Sequence, residues 1–282
     1  MSHWEPSARE VERRQVRRAI RTRGVVVATG TTVVVLAALV VGLVSSPGWE
    51  RVQETFFDGF HARESFDEVA EGFWVNVKLF LICQPLILLF ALGLALARTA
   101  RSPWLVPLRL LATVYTDVVR GVPTLLLVAL LAFGVPALQL EGLTNSLLFW
   151  AGFALVMSYA AYVAEVIRAG IDSIHPSQVN SASALGLSRA QTLRHVVVPQ
   201  AVRRVIPPLL NDFVSLQKDT ALVSSVGIVD ALNAARIYGS YNFNYTPIVV
   251  AACFFIVMTV PLARYCDWLQ RRWLERERAG AL

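Results

Sequence analysis

Five stretches of this chain run without a charged side chain: Val25–Val44, Leu79–Ala97, Gly121–Leu140, Leu143–Ala164 and the shorter Val249–Ala263. About 20 apolar residues are needed to carry a helix across the hydrocarbon core of a bilayer, and the first four runs reach or approach that length. A spanning helix satisfies every backbone amide internally, which hydrocarbon cannot do for it. These runs therefore predict an all-α integral membrane protein. The composition agrees: 55% of the 282 residues are hydrophobic, 16% are charged, and the mean hydropathy is +0.53, too apolar for an ordinary soluble domain.

The net charge of +6 would suit a nucleic-acid binder, but its distribution suits a membrane better. Arginines gather at 9–23 (seven), 98–120 (four), 168–204 (five) and 264–278 (five). Between spans the rest of the chain holds only Arg51, Arg63 and Arg236, and residues 45–71 carry Glu50, Glu54, Asp58, Glu64, Asp67, Glu68 and Glu71. Basic segments stay on the cytoplasmic side of a membrane, so this alternation places 45–71 outside and both termini inside. The first apolar run is longer than a signal-peptide core and no clean cleavage pattern follows it, so it reads as an uncleaved first span despite Arg13-Arg14.

Six spans are expected, near 24–44, 70–97, 119–139, 143–167, 204–235 and 246–267. They divide the chain into 1–69 (basic cytoplasmic tail, first span, acidic external segment), a core over 70–267, and a basic cytoplasmic tail over 268–282. Residues 101–118 read either as an interfacial helix with Trp104 near the headgroups or as the lower half of one long tilted span. In the fifth span, Gln217-Lys218-Asp219-Thr220 interrupts the apolar run after Asn211-Asp212. Charge within a span is costly and usually faces a bundle interior or a water-filled cavity, so Lys218 and Asp219 are candidates to line a polar path; an early helix end is the other reading.

Catalytic chemistry finds little support. The two lysines, Lys78 and Lys218, follow Val and Gln, so no Gly-Lys-Ser/Thr phosphate loop exists. His3, His61, His175 and His195 lack the spacing of a zinc helix, and Gly186-Leu187-Ser188-Arg189 lacks the second glycine of a nucleophile elbow. Cys83, Cys253 and Cys266 lie in or beside apolar runs and read as small buried hydrophobes. No catalytic residue, metal site or cofactor is expected in this chain.

One polar stretch, Asn180 to Pro199, stands between two apolar spans. Asp172 or Ser173 is placed to start a helix ahead of Pro176, which suits a first turn. That helix is expected to run through Ala184-Leu185 and stop at Gly186, the residue that takes a left-handed C′ position most easily. Ser188 with Gln191 then spells a capping box, and the second helix is expected to end before Pro199. Two short helices at a glycine corner resemble a DNA-reading helix-turn-helix. Spans on both sides pin the unit against the bilayer, where phosphates of the same sign as the headgroups are repelled, so a protein partner fits better than nucleic acid.

The residues of this stretch resemble those of the inner-membrane permease subunits of binding-protein-dependent ABC importers. Their cytoplasmic motif reads Glu-Ala-Ala, three residues, Gly, nine residues, Ile-x-Leu-Pro; here it is Asn180-Ser181-Ala182, then Gly186, then Val196-Val197-Val198-Pro199. Asn180 and Ser181 replace the family's Glu and first Ala. Tyr115 to Pro123, Ala160 to Gly170 with Ser173-Ile174, Leu185 to Ser188, Pro199-Gln200-Ala201 and Lys218-Asp219-Thr220 look like polar amino acid permeases, over roughly 70–267. The resemblance implies a five-helix type I importer core plus one N-terminal helix in a bacterial inner membrane. It implies that two ABC ATPase subunits, holding ATP and Mg, dock on 172–203, with contacts from Asn180, Ser181, Ala182, Ala184, Leu185, Gly186, Leu187, Ser188 and Pro199. It also implies a second permease subunit, identical or homologous, and an extracytoplasmic solute-binding protein.

Arg120 and Glu165 sit at the edges of long apolar runs, where one fixed charge of each sign could neutralise a zwitterionic amino acid substrate. In the plainer reading Arg120 is a boundary charge and Glu165 pairs with Arg168 at i,i+3. The rival functions are an ATPase-independent channel or carrier, which needs no such loop, and a membrane enzyme or tethered DNA binder.

Overall fold

The protein is described here by a computed structural model covering residues 7–100 and 102–279. His3, Arg101 and the final residues 280–282 of the basic tail lie outside the described residues. The chain divides after Thr55 into two units.

The first unit is dominated by α1, Ala8–Val44, closed by Ser45, whose N–H bonds to the Val41 carbonyl. The basic tail ahead of the span is helical and forms the first third of the same helix. Arginine favours helix about as well as leucine does, and no breaker separates Arg23 from Gly24. Of the spanning part, Ile20–Val44, none is buried within this unit. After Ser46-Pro47-Gly48 the acidic segment is helical too, as α2, Trp49–Phe56.

The second unit holds all the remaining elements. A short α3, Gly59–Glu64, is capped by Asp58, which accepts from the amides of Phe60 and His61. Then α4, Phe66–Thr99, crosses with Pro85 in its interior. A 3-10 turn, Pro103–Leu105, opens α5, Val106–Gly121, and α6, Thr124–Ala137, follows at a bend of 104°. The bend falls at Val122-Pro123, where a residue ahead of proline is pushed to extended backbone (φ −98°, ψ 129°). A straight helix over 101–139 is thereby excluded, and Trp104 at its start is 91% exposed. On its own α6 is only about 21 Å long, shorter than the hydrocarbon core.

At the centre lies α7, Leu147–Asp172, begun by Ser146, whose hydroxyl accepts from the Phe149 amide. Its spanning window is 67% buried, the largest share of the four unbroken spans, because Ala151, Gly152, Ala154, Ala160, Ala161 and Ala164 let neighbouring helices approach closely. Polar ties fix those neighbours. Tyr115 of α5 donates to the Met157 carbonyl at 3.0 Å, and Thr124 of α6 meets Ser158 at 2.8 Å.

After α7 come α8, Pro176–Ala184, then α9, Arg189–Thr192, a π-helical turn at Leu193–Val197, and α10, Val198–Asp219. A 3-10 segment, Thr220–Val226, leads to α11, Ala231–Asn242, bent 45° from what precedes it. Last is α12, Thr246–Ala279, which carries the helix on through the expected basic tail. Among the described residues four helices are long and apolar enough to cross a membrane, or up to six spans if each bent pair counts as one.

Candidate functional site

The polar stretch folds as a corner held at its base by both neighbouring spans. Asp172 and Ser173 do not start α8, as the sequence had suggested. Asp172 is the last residue of α7, its carboxylate paired with Arg168, and Ser173 caps that helix. His175 takes the N-cap instead, its Nδ1 accepting from the Ser177 amide, with Pro176 in the first turn. At the other end of α8 the Gly186 amide bonds to the Ser183 carbonyl and the Leu187 amide to that of Ala182. This paired pattern closes a helix through a left-handed residue, and Gly186 has φ 79°. Ser188 and Gln191 form the full capping box, with bonds of 2.8 and 3.3 Å.

The second helix does not end before Pro199. It widens into the π turn, in which the Val198 amide reaches back to the Leu193 carbonyl, and continues as α10. The wider π turn accommodates Pro199, whose ring would clash with the preceding turn of a regular α-helix.

Inside the corner Ile174, Ala182, Val197 and Ala201 are buried, and Leu187 is half-buried. Asn180, Ser181, Ala184, Gly186, Ser188 and Pro199 are exposed, and Leu185 projects with 82% of its surface free. At the base, α7 and α10 cross at Gly170. A Cβ there would lie 2.1 Å from Cγ2 of Val205, so only glycine permits the approach. Arg204 of α10 also donates to the Ser173 carbonyl. The corner is thus tied at its base to both α7 and α10.

Beside this base, Glu165 is the hub of an ion-pair cluster. Arg98 from the end of α4 reaches it at 2.7 Å, Arg168 at 2.6 Å, and Arg120 from the end of α5 at 3.7 Å. The Arg120 guanidinium lies 5.7 Å from the ring centre of Tyr162, whose hydroxyl donates to the Arg120 carbonyl. Arg120 and Glu165 are therefore together, and the i,i+3 pair with Arg168 is also present. Arg98, with 9% of its side chain exposed, was not singled out from the sequence, although it too ends an apolar run.

Lys218 and Asp219 separate, as adjacent residues about 100° apart on a helix do. Lys218 is exposed, whereas Asp219 accepts from the Tyr159 hydroxyl of α7 at 2.7 Å. The α-helix ends within the interrupting stretch, at Asp219, where the 3-10 segment takes over, and buried Gln217 accepts from Thr259 of α12 at 2.5 Å. About one and a half turns before Gln217, Oδ2 of Asp212 is buried without a hydrogen-bond partner among the described residues.

Comparison with known proteins places this architecture. The family described as "Binding-protein-dependent transport system inner membrane component" matches residues 87–275. The chain belongs to that family. It is thus a multi-pass permease subunit of an ABC importer in the inner membrane, a family not itself catalytic, and an ATPase-independent channel or carrier does not fit. Curated relatives include the probable glutamine ABC transporter permease protein GlnM of Bacillus subtilis, 34% identical over 65% of this chain and 83% of that protein. The arginine transport system permease protein ArtQ of Bacillus subtilis is 30% identical over 69% of this permease and 87% of its own length. Among solved structures, an amino acid ABC transporter crystallised with histidines matches with a TM-score of 0.69 and 30% identity, over 76% of this permease and 98% of that chain. The MetNI methionine ABC transporter shares the fold, with a TM-score of 0.55 and 15% identity over 73% of this permease and 95% of that chain.

Proposed function

We propose that this permease subunit forms the path for a polar amino acid, and that an ATPase subunit drives it by docking on residues 172–203. The observation that carries the reading is the projecting corner at Gly186, rooted in α7 and α10 through Gly170, Val205 and Arg204. A solvent-facing element tied to two spans suits mechanical input. The relatives named for glutamine and arginine transport support the substrate class. In the assembled importer two ATPase subunits hold ATP and Mg, a second permease, identical or homologous, faces this one, and a solute-binding protein delivers substrate to the acidic external side. Both termini lie in the cytoplasm. Asn180, Ser181, Ala182, Ala184, Leu185, Gly186, Leu187, Ser188 and Pro199 form the docking element.

Reconstituted with its ATPase and binding protein, the wild type is expected to take up amino acids on ATP addition, and Gly186→Val to insert normally but import poorly. Normal ATP-driven uptake by Gly186→Val would sink the rigid-corner reading. For the path itself Arg120, Glu165, Lys218 and Asp219 remain the candidates, joined by Asp212. Substrate-dependent ATP hydrolysis left unchanged by Glu165→Gln would remove Glu165 from that set and leave it a positioning residue for α4, α5 and α7.

A further inference from the structure

The α1 stem is built against its own stability. Residues 9–23 hold seven arginines against two glutamates, a net charge of +5. Because they belong to one continuous helix, Arg9, Arg13, Arg17 and Arg21 recur at i,i+4, a spacing at which like charges repel. Each step of four drifts by roughly 40°, so these four and Arg18 occupy about half of the helix circumference. All five are exposed, and among the described residues no ion pair engages Arg13, Arg17, Arg18, Arg21 or Arg23. The charge enters the bilayer with the helix: the apolar span begins at Ile20, which sets Arg21 and Arg23 at headgroup level. None of that span is buried within its own unit. Orientation alone does not require this many arginines, because the segments at 98–120, 168–204 and 264–278 already carry the bias. The permease family match begins only at residue 87, well beyond this helix.

We propose that the Arg9–Arg23 stem of α1 is a binding surface for anionic phospholipid headgroups of the leaflet that the helix enters. Headgroup phosphates relieve the repulsion along the arginine face, and an unbroken helix holds that face at the membrane surface, where each basic residue adds to the attraction. The rising stem presents Arg17, Arg18, Arg21 and Arg23 first, with Arg13 and Arg9 successively farther from the bilayer. The attraction fades with distance over a Debye length.

The test is lipid selectivity of the full chain, reconstituted in phosphatidylcholine vesicles and probed with spin-labelled phosphatidylglycerol or spin-labelled phosphatidylcholine. The motionally restricted fraction is expected to favour phosphatidylglycerol by about tenfold at low ionic strength and to approach parity in high salt. The combined variant Arg9→Gln, Arg13→Gln, Arg17→Gln and Arg18→Gln is expected to lose most of the preference, while the matching lysine variant keeps it. Helix content by circular dichroism verifies that both insert. Equal association of the two lipids with the wild type at low salt would overturn the proposal and point to an acidic protein as the partner. A preference that survives the glutamine variant intact would overturn it as well, by assigning the selectivity to the other unit. If the glutamine variant fails to insert, the salt response of the wild type decides between the same two outcomes.

Discussion

Phe243 follows α11 with φ 51° and ψ 35°, a left-handed conformation that suits glycine and disfavours a bulky side chain. Its ring is 89% exposed, so the strain is not offset by burial in this fold. Phe243→Gly is expected to stabilise the protein by about 1 kcal/mol, seen as a higher melting temperature in detergent. Gly170 is the opposite case. An added methyl collides with Val205, a stiff β-branched residue, so Gly170→Ala is expected to cost about 1–3 kcal/mol and to lower the melting temperature. Gly186 has open space around it, and only its φ of 79° speaks against a side chain. The glycine corner was legible in the sequence because α8 and α9 are both bounded by local signals, Gly186 and the Ser188 capping box. Phe243 was not, since phenylalanine is no turn signal, and Gly170 showed nothing of Val205, which lies 35 positions away in sequence.

Helix ends, more than helix interiors, organise the region beside the corner. Glu165 joins the ends of α4 and α5 to α7 through Arg98, Arg120 and Arg168. Glu165→Gln is expected to destabilise the protein by about 2 kcal/mol, because it removes charge-assisted bonds and leaves the nearly buried Arg98 without its counter-charge. Thermal melts of Glu165→Gln, Arg98→Gln and the double variant form a cycle that isolates the pair; coupling near zero would show that Arg168 and Arg120 hold the carboxylate without Arg98. The sequence marked Arg120 and Glu165 as charges at the edges of apolar runs but left open what they meet. The two readings of residues 101–118 were likewise equal on composition. Val122 ahead of Pro123 permits a sharp bend, and the bonds of Tyr115 to Met157 and Thr124 to Ser158 hold α5 and α6 against α7 on either side of it.

The orientation proposed for the whole molecule is testable without substrate. In a chain with Cys83, Cys253 and Cys266 replaced by alanine, Glu64→Cys is expected to react with an impermeant maleimide in intact cells. Ser177→Cys is expected to react only after lysis, and reversal of that pattern would invert the topology. Much of the molecule follows from sequence alone: the membrane class, the approximate position of the long apolar helices, the charge bias and the corner at Gly186. These are local quantities, set by run length, by breakers and by caps within a few residues. What needed the tertiary structure was every contact between distant segments: Arg98 with Glu165, Tyr159 with Asp219, Gln217 with Thr259, and the crossing at Gly170 and Val205. In an apolar bundle nearly every helix face is hydrophobic, so periodicity does not say which face meets which neighbour. Small residues and isolated polar pairs make that choice, and they do so only once the helices are in place.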